Sequence, residues 1–319
     1  MPVTVLRHRR RPDLAVVGAS ATGKTELAAR LADEFGDVAL LSVDALAVYR
    51  RMDIGTAKPS RAADPASRHA WRLLDLAEPS EEFSVARFQA EARAVLEEVH
   101  RAGHSAVLVG GTGLYHRAVL DELDLPGRYP AVVARLEAEA SARGEDAPAL
   151  LHARLRELDP VAASRIEPTN LRRVLRALEV TEGSGRRFSE FGPGLEEYPP
   201  ISTVIVGLSL ERAVLDEQLA ARLSQQLEEG LVDEVRGLAA EPGGLSRTAR
   251  QAIGYAEILD HLEGGCSLEE AIVTTIRRLR QFARRQEAWF RRDPRVQWLP
   301  ADDDWLVELV LKRWETGPS

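Results

Sequence analysis

The sequence predicts an α/β fold, a parallel sheet covered by helices on both faces and interrupted by a mainly helical insertion. Three observations carry this. Short apolar runs near Leu14, Val38, Ser105 and Thr203 read as buried strands, amphipathic segments of helical spacing separate them, and no strand pattern occurs between Gly127 and Gly183. Strands alternating with helices of this length form parallel βαβ units. The 319 residues suffice for one large or two modest domains with apolar cores.

From Asp13 the run LAVVGAS meets small residues and then a stretch from Thr25 to Phe35 with Leu27, Ala28, Leu31 and Ala32 at helical spacing, which is strand, glycine turn, helix. Val38 to Val43 is a second strand ending at Asp44. Phe83 to Ala102 carries Phe88, Ala92, Val95, Leu96 and Val99 on one helical face, and Gly103 ends it. Ser105 to Val109 runs as a third strand into Gly110-Gly111.

After Leu125-Pro126-Gly127 the segments Val132–Arg143, Ala147–Leu158, Pro160–Arg165 and Asn170–Glu182 all have helical periodicity. A loop rich in Gly and Pro, Gly183 to Pro200, leads to the last clear strand, Thr203 to Leu208. Helices are then expected at Arg212–Glu229, Leu231–Ala240, Ala249–Leu262 and Ser267–Arg292. The expected core is 13–126 with 201–300, the insertion is 127–200, and 1–12 and 301–319 are terminal extensions.

Composition narrows the function classes. The chain is 45% hydrophobic and 29% charged, as soluble globular proteins are, and no apolar run approaches the length of a membrane span. A cytoplasmic protein without membrane association is expected, and a monomer. The single cysteine, Cys266, excludes an internal disulfide and a cysteine-based zinc finger. The net charge of −8 argues against a nonspecific nucleic-acid binder. Yet Arg277 to Arg295 holds arginines at 277, 278, 280, 284, 285, 291, 292 and 295 against only Glu287 and Asp293. Lysine is scarce, occurring only at Lys24, Lys58 and Lys312 among 42 basic residues.

One of those lysines lies in GASATGKT, Gly18 to Thr25, which fits the P-loop pattern G-x-x-x-x-G-K-[ST] between a strand and a helix. Glycines let successive N–H groups curl around a phosphate, the helix N-terminus adds positive potential, the lysine neutralises charge and the hydroxyl can hold magnesium. The fold class is therefore a P-loop NTPase-like parallel sheet core with a helical insertion domain. The P-loop alone does not say which phosphate chemistry is done. Asp44 follows the second strand at the edge where ligands of open α/β sheets bind, and could take a proton from an acceptor or cap a turn. The third strand runs into Gly110-Gly111-Thr112-Gly113 instead of the metal-holding aspartate of motor and switch NTPases.

SVDALAVYRRMDIGTAKP (Ser42 to Pro59) and VLVGGTGLY (Val107 to Tyr115) together resemble the bacterial tRNA dimethylallyltransferase family, or tRNA isopentenyltransferases. The resemblance continues through NLRRVLRALEV (Asn170 to Val180), GLVDEVR (Gly230 to Arg236), SRTARQAIGY (Ser246 to Tyr255) and RRLRQFARRQEAWFRRDPRVQWL (Arg277 to Leu299). It implies transfer of the dimethylallyl group of dimethylallyl diphosphate to N6 of adenosine 37 beside the tRNA anticodon, with Mg2+. The P-loop residues Gly18, Ala19, Ser20, Ala21, Thr22, Gly23, Lys24 and Thr25 would cradle the diphosphate leaving group, Thr25 with the metal.

By the same resemblance Asp44 would bind the N6 amine and act as general base, Thr112 would lie at the mouth of the reaction channel, and Arg222 would contact the diphosphate. Contacts to the tRNA anticodon stem-loop are expected from Asp44, Ala45, Leu46, Ala47, Thr112, Arg172, Arg173, Arg176, Arg250, Gly254, Tyr255, Arg284 and Arg285. Two alternatives use the same P-loop and aspartate: a small-molecule or nucleotide kinase taking ATP, and a free-nucleotide isopentenyltransferase. The latter has no need of the arginine-rich C-terminal segment.

Overall fold

A computed structural model describes residues 11–59, 69–191, 195 and 197–317. Most of the expected N-terminal extension, residues 1–10, lies outside the described residues. The chain divides into two compact units, one of residues up to Asp121 together with those from Pro200, the other Glu122–Pro199.

In the first unit six strands are found among the described residues: β1 (Leu14–Gly18), β2 (Val38–Ser42), β3 (Trp71–Arg72), β4 (Ser105–Gly110), β5 (Val204–Ser209) and β6 (Val296–Pro300). They form one sheet in the order β3-β2-β4-β1-β5-β6, with every pairing parallel. β1 lies between β4 and β5, Leu14 opposite both Val107 and Val204. Because strand side chains alternate, β1 serves two cores. Ala15 and Val17 join Leu41, Leu108 and Phe88 on one face, while Leu14 and Val16 join Leu40, Val107 and Val206 on the other.

Helices α1 (Lys24–Glu34), α2 (Val85–Arg101) and α3 (Gly113–Leu120) follow or precede these strands, and α2 is capped by Ser84, whose side chain accepts the Arg87 amide. The second unit holds α4 (Pro130–Arg143), α5 (Ala147–Leu158), α6 (Pro160–Arg165) and α7 (Leu171–Ser184) around Leu136, Leu151, Leu155, Val174 and Leu178. The first unit resumes with α8 (Arg212–Glu228), α9 (Leu231–Ala240), α10 (Arg247–Arg250), α11 (Tyr255–Leu262), α12 (Leu268–Phe290) and α13 (Leu306–Thr316).

Three features differ from the sequence expectation. The helix expected over Ala249–Leu262 is two helices, broken where Gly254 takes a left-handed φ of 94°. The strands β3 and β6 carry no recognisable signal, the first being two residues long and the second following Pro294 directly after an arginine-rich helix. Residues 301–319, expected as an extension, contribute α13, which covers the second face of the sheet together with α1. Trp314 is 1% exposed, its ring meets Phe35 edge-on at 5.7 Å, and its Nε1 donates to the Pro12 carbonyl at 2.6 Å.

Candidate active site

Strand order explains how distant motifs meet. β2, β4 and β1 are neighbours, so the turns leaving their C-terminal ends lie side by side: the segment from Asp44, the Gly110–Gly113 turn and the P-loop. They border an open cleft of ≈ 570 Å³, lined among others by Ser20, Lys24, Thr25, Asp44, Ala47, Gly110, Gly111 and Arg222. Residues Thr56 to Pro59 supply another part of its wall.

The P-loop conformation follows from its small residues. Gly18 has φ 139°, and a Cβ there would sit 2.6 Å from the Leu208 carbonyl oxygen, so only glycine fits. Ala21 adopts a left-handed φ of 63°, a strained state costing roughly 1 kcal/mol for a residue with a Cβ. Thr22 Oγ1 donates to the Ala19 carbonyl at 2.9 Å, and the Lys24 ammonium donates to the same carbonyl. Partial burial, with Arg222 beside it, pushes the Lys24 ammonium down to about 7, and Asp44 opposes that shift. The amide of Ser20, expected to help cradle the diphosphate with the amides from Ala19 to Gly23, instead donates to Gln286 Oε1 at 2.9 Å.

Asp44 is engaged through one of its two carboxylate oxygens. Its Oδ1 caps the following turn, accepting from Leu46 N at 2.8 Å and Ala47 N at 3.2 Å. Its Oδ2 accepts no hydrogen bond among the described residues. Thr112 Oγ1 accepts the Ala45 amide at 3.1 Å, which ties the Gly110–Gly113 turn to the segment carrying Asp44.

The scarce lysine Lys58 is fully buried. It donates to Asp53 and Asp75 at 2.7 Å each and to the Tyr49 carbonyl. The same Met52–Pro59 loop is held from outside by Glu234, whose carboxylate accepts the amides of Asp53, Ile54 and Gly55 at 2.9, 2.8 and 3.1 Å and the Tyr255 hydroxyl. Tyr255 and Gly254, expected at an RNA surface, are thus interior: Tyr255 is 0% exposed, and burial with Glu234 beside it pushes its hydroxyl well above the ordinary range. Tyr255 therefore anchors a wall of the cleft.

The arginines sort by partner. Arg278 pairs with Glu257, Arg280 with Asp216, Arg291 with Glu287, and Arg295 with Asp121 and Asp293 at 2.6 and 2.7 Å. Arg277, Arg284, Arg285 and Arg292 are exposed and have no carboxylate partner among the described residues. At spacings of 7, 8 and 15 residues these four share one face of α12 and its C-terminal end. In the second unit Arg172 and Arg173 are exposed, whereas Arg176 is engaged by buried Glu179 at 2.7 Å and by the Pro126 carbonyl at 2.8 Å. Arg250 is exposed and paired with Glu263.

Sequence reasoning gave no role to Gln286, Glu234 or Lys58. Gln286 had a visible signal: an uncharged polar residue between Ala283 and Phe290 on the apolar face of an amphipathic helix. Among the described residues no cluster of three His, Cys, Asp or Glu could hold a metal. The Thr25 hydroxyl lines the cleft without a hydrogen-bond partner among those residues, which suits an ion held by one protein oxygen and by phosphate oxygens.

The sequence model of the IPP transferase family matches residues 47–293. The tRNA dimethylallyltransferase of Thermobifida fusca (strain YX) is 48% identical over 305 residues, covering 93% of this chain and 92% of that protein. That of Nocardioides sp. (strain ATCC BAA-499 / JS614) is 46% identical over 303 residues, with 95% of each chain covered. The crystal structure of the full-length tRNA isopentenylpyrophosphate transferase from Bacillus halodurans superposes with a TM-score of 0.69 at 36% identity, covering 96% of this chain and 98% of that one.

Proposed function

The chain belongs to the IPP transferase family, and on that premise we propose that it moves the dimethylallyl group of dimethylallyl diphosphate onto N6 of adenosine 37 in the tRNA anticodon loop. The observation that carries this reading is one cleft holding both an anion cradle and an unengaged carboxylate oxygen, Asp44 Oδ2.

The chemistry needs both. An allylic diphosphate loses its leaving group readily when negative charge on the departing diphosphate is stabilised. Lys24, Arg222 and the N-terminal amides of α1 supply positive charge and donors there. Binding of the anion favours the charged form of Lys24, which is released from the Ala19 carbonyl to meet it. Thr25 is the residue that would hold Mg2+, which supplies further charge neutralisation on the diphosphate when bound. The exocyclic amine of adenine is a weak nucleophile because its lone pair is delocalised. As the N6–carbon bond forms and the carbon–oxygen bond to diphosphate breaks, the amine proton passes to Asp44 Oδ2. Oδ1 stays bonded to Leu46 and Ala47, so the carboxylate keeps its orientation through the transfer.

The exposed arginines of α12 favour an RNA acceptor, since a stripe without internal carboxylate partners is available to phosphates. A target base must be unstacked to reach a recessed cleft. The discriminating experiment offers dimethylallyl diphosphate with magnesium and either an anticodon stem-loop RNA or free adenine nucleotides. Prenylated stem-loop with unmodified nucleotides is the expected product. Prenylated free nucleotide and untouched RNA would overturn the tRNA reading.

A further inference from the structure

Gln286 is 5% exposed and both ends of its amide are engaged. Its oxygen accepts from the Ser20 amide at 2.9 Å and Ser20 Oγ at 3.3 Å, and its nitrogen donates to the Gly111 carbonyl at 3.0 Å. The partners fix the amide's orientation: an N–H requires the oxygen and a carbonyl requires the nitrogen. One side chain from α12 therefore spans the P-loop and the Gly110–Gly113 turn, two neighbouring segments that both border the cleft.

Gly111 records how close this bridge lies. Its φ is outside the left-handed region, so its backbone would accept a side chain, yet a Cβ would stand 2.1 Å from Gln286 Nε2. Glycine is needed there for the bridge. On the other side, Ser20 immediately precedes Ala21, whose left-handed φ of 63° must be held by its surroundings. The bond from Ser20 N to Gln286 is an anchor for that strained turn.

We propose that Gln286 is a positioning residue for diphosphate binding. Through Ser20 it sets the P-loop in its anion-accepting shape, and through Gly111 it fixes the loop's distance from the turn that carries Thr112. This rests on reading the cleft as a diphosphate site. The residue acts on the geometry of the cradle, so its loss weakens anion binding and leaves the arginine stripe on the opposite face of α12 untouched.

The test uses the full chain and inorganic diphosphate with magnesium as probe, followed by calorimetry, beside KM and kcat for dimethylallyl diphosphate and affinity for an anticodon stem-loop. Gln286→Met keeps the length and removes both bonds; Gly111→Ala displaces the wild-type amide. Each is expected to weaken diphosphate binding about tenfold, to raise KM by the same factor with a smaller change in kcat, and to leave stem-loop affinity unchanged. The double variant is expected to be no worse than either single one, because both act on the same bridge. Diphosphate affinity within twofold of wild type in folded Gln286→Met, or losses that multiply in the double variant, would overturn the proposal. If Gln286→Met does not fold, Gly111→Ala alone carries the same criterion. A wild-type chain that transfers no prenyl group and binds no diphosphate would instead overturn the reading of the cleft, and the proposal with it.

Discussion

Thr112 Oγ1 accepts the Ala45 amide at 3.1 Å, fastening the turn after β4 to the segment that begins with Asp44. Oδ1 of Asp44 is bonded to Leu46 and Ala47 in that same segment, which fixes the carboxylate while Oδ2 accepts no hydrogen bond among the described residues.

Asp44→Asn preserves the capping oxygen and removes the base. Its kcat should fall by about 10²- to 10⁴-fold, with stem-loop and diphosphate affinities near wild type, as read from single-turnover kinetics and direct binding. Weakened RNA binding with unimpaired chemistry would remove Asp44 from the role of base.

Lys24 gives a pH signature. Burial and Arg222 hold it down to about 7 in the free protein, and the diphosphate raises it again. Binding above about pH 7 therefore takes up a proton, and donor affinity should decline toward pH 9, by at most roughly tenfold per unit. Stability has the opposite sense. The unfolded chain, with a lysine near 10.5, binds more protons across the window from about 7 to 10.5, so this contribution to stability rises with pH. The melting temperature of wild type relative to Lys24→Met should rise over that window; a pH-independent difference would show that Lys24 is not depressed.

Tyr255→Phe separates an interior anchor from an RNA contact. It should cost about 1 kcal/mol of stability and leave stem-loop affinity unchanged. Glu234→Gln places an amide donor opposite loop N–H groups or the tyrosine hydroxyl, and should cost about 1–3 kcal/mol and raise KM by loosening the Met52–Pro59 wall. Denaturant titrations and steady-state kinetics on both variants check this.

The arginines are expected to divide as their partners do. Replacing Arg284 and Arg285 together by alanine should lower stem-loop affinity and reduce the slope of log K against log salt by roughly 1.5. Arg278→Ala, which breaks the pair with Glu257, should leave that slope unchanged.

Trp314→Ala is expected to destabilise the chain by about 3–5 kcal/mol, because α13 shares with α1 the covering of one face of the sheet. A change below about 1 kcal/mol would mean that the segment is dispensable.

The P-loop, the βαβ order and Asp44 are legible in the sequence because each depends on a few adjacent residues. Gly18 to Thr25 must be small to curl, and Asp44 must follow a buried strand to stand at the sheet edge. What escapes is set by partners distant along the chain. Nothing around Arg295 or Arg280 announces Asp121 or Asp216, so a run of arginines reads as one basic patch when half of its C-terminal members are internally neutralised. The motif SRTARQAIGY likewise does not show that Tyr255 turns inward to Glu234, because the helix break at Gly254 resets the faces. Gln286 stands among conspicuous charges, yet an uncharged polar group on an apolar helix face is the stronger sign of a specific bond.

The most direct test of the account is the stoichiometry of the reaction itself. Purified protein, dimethylallyl diphosphate, magnesium and an anticodon stem-loop should yield one released diphosphate for each N6-dimethylallyl adenosine at position 37. Formation of ADP from added ATP with a small acceptor, and no prenylated RNA, would contradict it.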